Sequence, residues 1–270
     1  MNDLLRFRVK EDSKVNLDEW DPDDTRPFSD DKEQGRDRLQ HLCSLLRDLQ
    51  EVLYAERKHK VLIVLQGMDT AGKDGVIKSV FKEVNPQGLV IKSFGVPSEE
   101  ELSRDYLWRI HKNAPEKGKI TIFNRSHYED VLVVRVNGLI SHETWKKRYV
   151  QIRDFERTLH EEGATILKFF LHIDKKEQKE RIQKRLDDPE KNWKFNPGDL
   201  KARALWREYM KAYEDAISNT SAPWAPWHII PANNKWRRDL IVASLIADAL
   251  DQLNMKYPKL DFDPKGVVID

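Results

Sequence analysis

An α/β fold built on a parallel sheet is the class this sequence predicts, and three observations predict it. Short apolar runs at residues 61–65, 119–123 and 164–171 read as strands buried on both faces. Stretches with apolar residues three and four apart separate them, the alternation expected of strand–helix–strand units. A glycine-rich turn stands directly at the end of the first run. Five parallel strands flanked by helices are expected in a single domain over 35–257. An extended arm at 1–34 and a tail at 258–270 complete the chain.

The arm holds Asp21-Pro-Asp-Asp and Arg26-Pro27, turn chemistry without apolar periodicity. Leu39, Leu42, Leu46, Leu49 and Leu53 then mark an amphipathic helix. Its stripe is expected to pack on the core, with a dimer seam as its other use. The first strand follows, and after the glycine turn Val76, Ile77, Val80, Phe81 and Val84 continue in helical register. A second strand at 89–94 runs into Gly95-Val-Pro-Ser98, and Ser98 with Glu101 forms a capping box for the next helix. The third strand is at 119–123. Ser141 caps a helix whose buried face is Trp145, Tyr149, Ile152, Phe155 and Leu159, ending at Gly163. Strands at 164–171 and 227–230 are the fourth and fifth, with a helical excursion at 175–222 between them. A last helix at 235–254 carries Leu240, Ile241, Leu245, Ala249 and Leu253.

The formal net charge of +1 hides an asymmetry. Residues 1–34 contain eleven Asp/Glu against six Lys/Arg, whereas 175–211 contain twelve Lys/Arg against seven Asp/Glu. The basic stretch reads either as a solvated helix face or as a surface for a polyanion. One cysteine, Cys43, leaves no disulfide framework and fits a reducing compartment. The start of the chain has no signal-peptide run and no later segment is apolar enough to span a bilayer, so a soluble, cytoplasmic protein is expected.

The turn itself carries chemistry. Gly67, four residues, Gly72 and Lys73 have the spacing of a phosphate-binding P-loop. Such a loop aims backbone amides at a helix N-terminus, where the dipole favours anions, and the lysine reaches further oxygens. The pattern asks for Ser or Thr after the lysine, and the residue is Asp74. The third strand ends in Asn124 where P-loop enzymes usually place an acid, and Arg125-Ser-His-Tyr-Glu-Asp130 follows. Asp69, inside the loop, is the first candidate for a metal ligand; capping the loop backbone is its other reading. Arg125 leaves the carboxyl edge of the sheet, where ligands bind in such folds, and its fork suits phosphate oxygens. A structural ion pair is the alternative. His127 is read as positioning or packing, since a phosphate nucleophile needs no base. Arg181 and Arg185 share a helical face with Lys184 beside them, at the place where nucleotide kinases carry a lid.

Taken together, Gly67-Met-Asp-Thr-Ala-Gly-Lys-Asp-Gly75, Asn124-Arg-Ser-His-Tyr-Glu-Asp-Val131, Arg185-Leu-Asp-Asp-Pro-Glu-Lys-Asn-Trp-Lys194 and Pro231-Ala-Asn-Asn-Lys-Trp236 resemble the family-2 polyphosphate kinases over roughly 35–255. Asp74, Asn124 and Glu129-Asp130 resemble that family's class III. The resemblance implies a thymidylate kinase-like P-loop fold with a helical lid at 175–222. It also implies transfer from inorganic polyphosphate to nucleoside mono- and diphosphates, AMP and ADP above all, and a homodimer or homotetramer. Mg²⁺ is the implied cofactor, with Mn²⁺ as substitute.

By the same resemblance Asp69, Lys73, Arg125, Arg181 and Arg185 are catalytic, with Asp69, and Asp130 as second candidate, on the metal. Gly67, Thr70, Ala71, Gly72, Lys73, Asp74, Gly75 and Lys184 bind phosphate. Phe94, Pro97, Asn124, Glu129 and Asp130 line or back the acceptor nucleotide. The rival readings are a nucleoside monophosphate kinase with ATP as donor, and a nucleotide-binding module without turnover. Asn234-Lys235-Trp236-Arg237 lacks the Asp of a guanine-specific switch. Neither nucleic acid nor membrane is an expected partner, since no aromatic platform interleaves the basic run.

Overall fold

The computed structural model describes every residue except 1, 29, 30, 263, 265, 266, 268 and 270. Three positions of the predicted arm and five of the predicted tail therefore lie outside the described residues. Five strands, β1 (Lys60–Gln66), β2 (Leu89–Ser93), β3 (Ile120–Asn124), β4 (Ala164–His172) and β5 (Trp227–Pro231), form one parallel sheet in the order β2-β3-β1-β4-β5. The helices are α1 (Lys32–Glu56), α2 (Lys73–Val80), α3 (Glu99–Leu102), α4 (Trp108–His111), α5 (Val133–Val136), α6 (His142–Glu161), α7 (Lys175–Asp187), α8 (Pro197–Ala204), α9 (Trp206–Thr220) and α10 (Lys235–Asp251).

Alternation along β1 divides the core. Val61, Ile63 and Leu65 face a cluster with α1, α2 and α10, and Leu62 and Val64 face one with α6 and α9. The leucine stripe of α1 packs on the first side: Leu39, Leu46 and Leu53 are buried there, with Leu42 and Leu49 partly buried. Both caps expected from sequence are present. Ser98 and Glu101 exchange hydrogen bonds as a capping box, and Ser141 accepts from the Thr144 amide.

Two features differ from the sequence reading. β3 begins at Ile120, one residue later than the predicted 119–123, and ends at the expected Asn124, which pairs with Leu65 and Ser93. More substantially, only the first part of 175–222 stands over the cleft. Tyr209, Ala212, Tyr213, Ala216 and Ile217 of α9 are buried against the sheet, so that helix is a core layer and not part of a lid. Its apolar residues recur three and four apart, and burying that stripe requires the sheet.

The N-terminal arm lies on the body. Phe7, Val9, Val15 and Leu17 are buried, and Arg8 forms an antiparallel bridge to His228 of β5, with the Val9 amide donating to the Trp227 carbonyl at 2.8 Å. Among the described residues no helix is long and apolar enough to cross a membrane.

The interior on the α6 and α9 side of the sheet holds a charged pair. Lys168 of β4 is wholly buried and donates to Glu156 of α6 at 2.6 Å, to the Tyr128 hydroxyl at 2.8 Å and to the Thr220 carbonyl at 2.8 Å. His127 stands 3.1 Å from the other oxygen of Glu156. The packing role read for His127 is the one it has here: it ties the segment after β3 to the core. Burial lowers its pKa, against the raising effect of Glu156, and the ring is kept neutral.

Candidate active site

The carboxyl edge of the sheet opens into a cleft of about 770 Å³. Its floor is the turn from β1 to α2. Gly67 (φ +148°), Thr70 (φ +69°) and Gly72 (φ +106°) take backbone angles that let the loop curl, and α2 begins at Lys73. A Cβ on Gly72 would lie 1.8 Å from Nη1 of Arg238, so glycine is also required by close approach.

Lys73 folds back over the loop. Its Nζ donates to the Gly67 carbonyl at 2.8 Å and the Met68 carbonyl at 3.4 Å. Burial pulls its pKa below the ordinary lysine value, and Asp69 works in the opposite direction.

Two cross-links join the loop to the end of β3. Arg125 (φ +61°) donates to Asp69 at 2.7 Å, and Asn124 donates to Asp74 at 2.6 Å. The two departures from the usual P-loop pattern thus form one pair. Asn124 supplies a donor where an acid would repel Asp74, and the two sequence anomalies compensate each other.

Arg181 holds a different position from the one expected of a lid arginine. It is buried, and Nη1 donates to the carbonyls of Thr70 (2.9 Å) and Ala71 (3.0 Å). Nη2 donates to those of Ala232 (2.6 Å) and Asn233 (2.8 Å), and Nε to Glu177 (2.7 Å). Arg238 of α10 adds a bond to the Ala71 carbonyl at 3.2 Å while pairing with Asp239 at 2.6 Å. Two guanidinium groups therefore clamp the carbonyls of Thr70 and Ala71 in the P-loop, while the Ala71 amide closes the turn on the Met68 carbonyl at 3.0 Å. Arg181 also lines the cleft, but its donors are taken up by the loop, by the turn after β5 and by Glu177.

Of the other expected residues, Asp69, Thr70, Gly72, Lys73, Asp74, Gly75, Phe94, Asn124, Arg125, Lys184 and Arg185 line the cleft together. Gly67 and Ala71 belong to the loop backbone behind it. Pro97, Glu129 and Asp130 are not on its wall. Asp130 faces Arg148 at 3.2 Å and Arg109 at 3.9 Å, away from the cleft wall. Burial outweighs the lowering effect of both arginines and leaves its pKa raised to about 6. Burial likewise raises the pKa of Glu129, with Arg125 and Lys73 opposing. Phe94 meets Phe123 edge-on at 5.0 Å and fixes the rim after β2.

Sequence reasoning missed Lys191, Trp193, Lys194, Asn196 and Asp199 on the lid side, and Lys235 and Arg238 on α10. Lys191, Trp193, Lys194 and Lys235 stand inside the segments 185–194 and 231–236 that carry the family resemblance but are given no role there, and Arg238 is two residues beyond the second. Asp199 follows the capping Asn196 and Pro197 at the start of α8, a pattern that announces a helix but not a cleft.

Comparison with known proteins agrees with this geometry. The family description Polyphosphate kinase 2 matches residues 29–258. An AMP/ADP-polyphosphate phosphotransferase of Meiothermus ruber is 53% identical over 267 residues, covering 99% of this chain and 100% of that protein. An ADP-polyphosphate phosphotransferase of Rhodopseudomonas palustris is 45% identical, covering 94% and 92%. The crystal structure of polyphosphate kinase 2 from Arthrobacter aurescens TC1 superposes with a TM-score of 0.93 at 44% identity, covering 96% and 93%. With a P-loop clamped at the edge of a five-stranded parallel sheet and a family match over most of its length, the chain belongs to the polyphosphate kinase 2 family.

Proposed function

We propose that the protein transfers the terminal phosphoryl group of inorganic polyphosphate to AMP and to ADP, giving ADP and ATP. One observation carries this reading beyond family membership: a single cleft joins the P-loop to Lys184, Arg185, Lys191, Lys194 and Lys235. That row of cations is longer than a triphosphate donor needs, and it suits a polyanion. The names of the Meiothermus and Rhodopseudomonas relatives support the same donor and acceptors.

In the reaction an oxygen of the acceptor's terminal phosphate attacks the terminal phosphorus of the chain in line. The P–O bond to the next phosphate breaks, and the shortened chain leaves with the bonding electrons. No proton need be removed from the nucleophile, and His127 is buried and does not line the cleft. Loop amides, Lys73 and Arg125 hold the charge spread over the transferring group. Arg181 and Arg238 act by fixing the loop.

The donor set fits Mg²⁺, with Mn²⁺ as a substitute. Among the described residues no cluster of three or more His, Cys, Asp or Glu is arranged to hold a metal, so the protein offers one or two oxygens and the phosphates the rest. Asp69 is the carboxylate in the loop that lines the cleft, and it would hold the ion by exchanging part of its bond to Arg125. The ion would neutralise charge on the bridging phosphates. A dimeric or tetrameric cytoplasmic enzyme completes the proposal.

The test supplies long-chain polyphosphate or ATP with AMP, ADP, GMP or GDP, with and without Mg²⁺, and follows nucleotide products. Metal-dependent ADP and ATP formation from polyphosphate is expected. Faster transfer from ATP, with none from polyphosphate, assigns the chain to nucleotide kinases instead.

A further inference from the structure

We propose that Asp199 is a positioning residue: it occupies Arg185 until a long phosphate chain displaces it, and thereby makes the cleft discriminate against short free anions. This rests on the polyphosphate reading of the cleft and adds a specificity device to it. Asp199 lies in the first turn of α8, where an acid ordinarily faces solvent and complements the helix dipole. Here it is turned into the cleft wall and only 7% exposed, on a surface otherwise rich in cations. Its carboxylate stands 3.5 Å from Nη1 of Arg185, and the Lys194 carbonyl is 3.4 Å from the same nitrogen. Both contacts are long and both use one nitrogen, so the guanidinium is held in place yet exchangeable.

Arg185 of α7 is the charged group in contact with Asp199, at 3.5 Å, and Asp69 and Lys73 of the P-loop and Arg125 after β3 line the same cleft and act on it through space. A carboxylate set among phosphate-binding groups lowers the affinity of every anion. Orthophosphate or tripolyphosphate, touching few cations, bears that cost on one or two contacts. A long chain spreads it over Lys184, Lys191, Lys194 and Lys235. Burial, followed by Asp69, raises the carboxyl pKa to about 6, which agrees with an anion held in a site made for other anions.

The experiment measures calorimetric binding of orthophosphate, tripolyphosphate and long-chain polyphosphate without acceptor, for wild type and for Asp199→Asn, Asp199→Ser and Asp199→Glu. Melting curves confirm that each variant folds, and the serine variant serves where the asparagine one does not. Removing the charge is expected to tighten both short anions on the order of tenfold, the scale of one partly screened charge, and the long chain by less than about threefold. Asp199→Glu should return wild-type ratios, and adding Arg185→Ala to Asp199→Asn should erase the gain. Unchanged or weaker short-anion binding would make Asp199 a brace of α8. Equal tightening of long and short anions would make it a bulk electrostatic group. Either result overturns the proposal. Because binding is read without turnover, absence of transfer in the wild type would sink the polyphosphate reaction and leave this measurement standing.

Discussion

The charges packed under the sheet and those lining the cleft obey different rules. Lys168, Glu156 and His127 lie within the face covered by α6 and α9, and their hydrogen bonds go to one another and to the buried Tyr128 and Thr220. Lys184 and Lys191 on the cleft wall have side chains 72% and 59% exposed and make only local pairs with acids of their own segment. The first group is held by the protein and the second is available to a ligand. Arg181 and Arg185, four residues apart, fall on opposite sides of that division. A basic residue in a binding segment is therefore not evidence of ligand contact until its donors are accounted for.

The comparison breaks first at Glu156. Glu156→Gln leaves the Lys168 ammonium buried without its anion, and unpaired charges of this kind cost about 3–5 kcal/mol. Urea unfolding should show that loss, and Lys168→Met added to Glu156→Gln should recover part of it. A loss under about 1 kcal/mol would place the network among weakly coupled surface pairs.

On the cleft side the largest effect belongs to Lys73. Lys73→Ala should lower turnover by about a hundredfold to a thousandfold, as removal of one charge-stabilising donor does, with the circular dichroism of the wild type. Near-normal turnover in a folded variant would remove the P-loop from the reaction.

His228 sharpens the buried side through pH. Burial lowers its pKa to about 4, from an ordinary value of 6.5. Between those values the unfolded chain takes the proton and the folded chain does not. Stability is thus complete above pH 6.5 and falls as pH drops towards 4, by about 3 kcal/mol over that range. His228→Gln should flatten the dependence of the urea midpoint on pH across this window; an unchanged slope would assign the acid sensitivity to other groups.

The smallest effect expected is at Lys184. Lys184→Ala should change stability by less than about 0.5 kcal/mol and reduce the logarithmic salt dependence of polyphosphate affinity by about one unit. An unaltered salt slope would show that this lysine is only solvated.

Much of the fold was legible because its signals are local. The strands are apolar runs, the α1 stripe is periodic, and the Gly67–Lys73 spacing marks the turn at which α2 begins. The Asp69–Arg125 and Asn124–Asp74 links were half legible: each residue was singled out, but their pairing needs the register that sets β1 beside β3. Helical spacing placed Arg181 and Arg185 on one face correctly, yet it carries no information about carbonyls more than a hundred residues away. Asp199 and Arg238 escaped for the same reason. Lys168 was hidden inside a strand read as apolar, since its partner Glu156 comes from another element. Nor does a stripe on α9 say whether it covers a sheet or a ligand.

The bridge from the N-terminal arm to β5 bears on how the molecule coexists with copies of itself. A parallel sheet ends in strands whose outer amides and carbonyls can template another chain. At β5 the arm occupies part of that template, through Arg8 opposite His228 and the Val9 amide on Trp227. At the other border β2 is five residues long and carries Lys92, a short charged margin of the kind that discourages strand addition. The acidic arm is thus a selvedge for the sheet: it finishes the border where the strand is most apolar, and keeps neighbouring molecules in solution from continuing the weave.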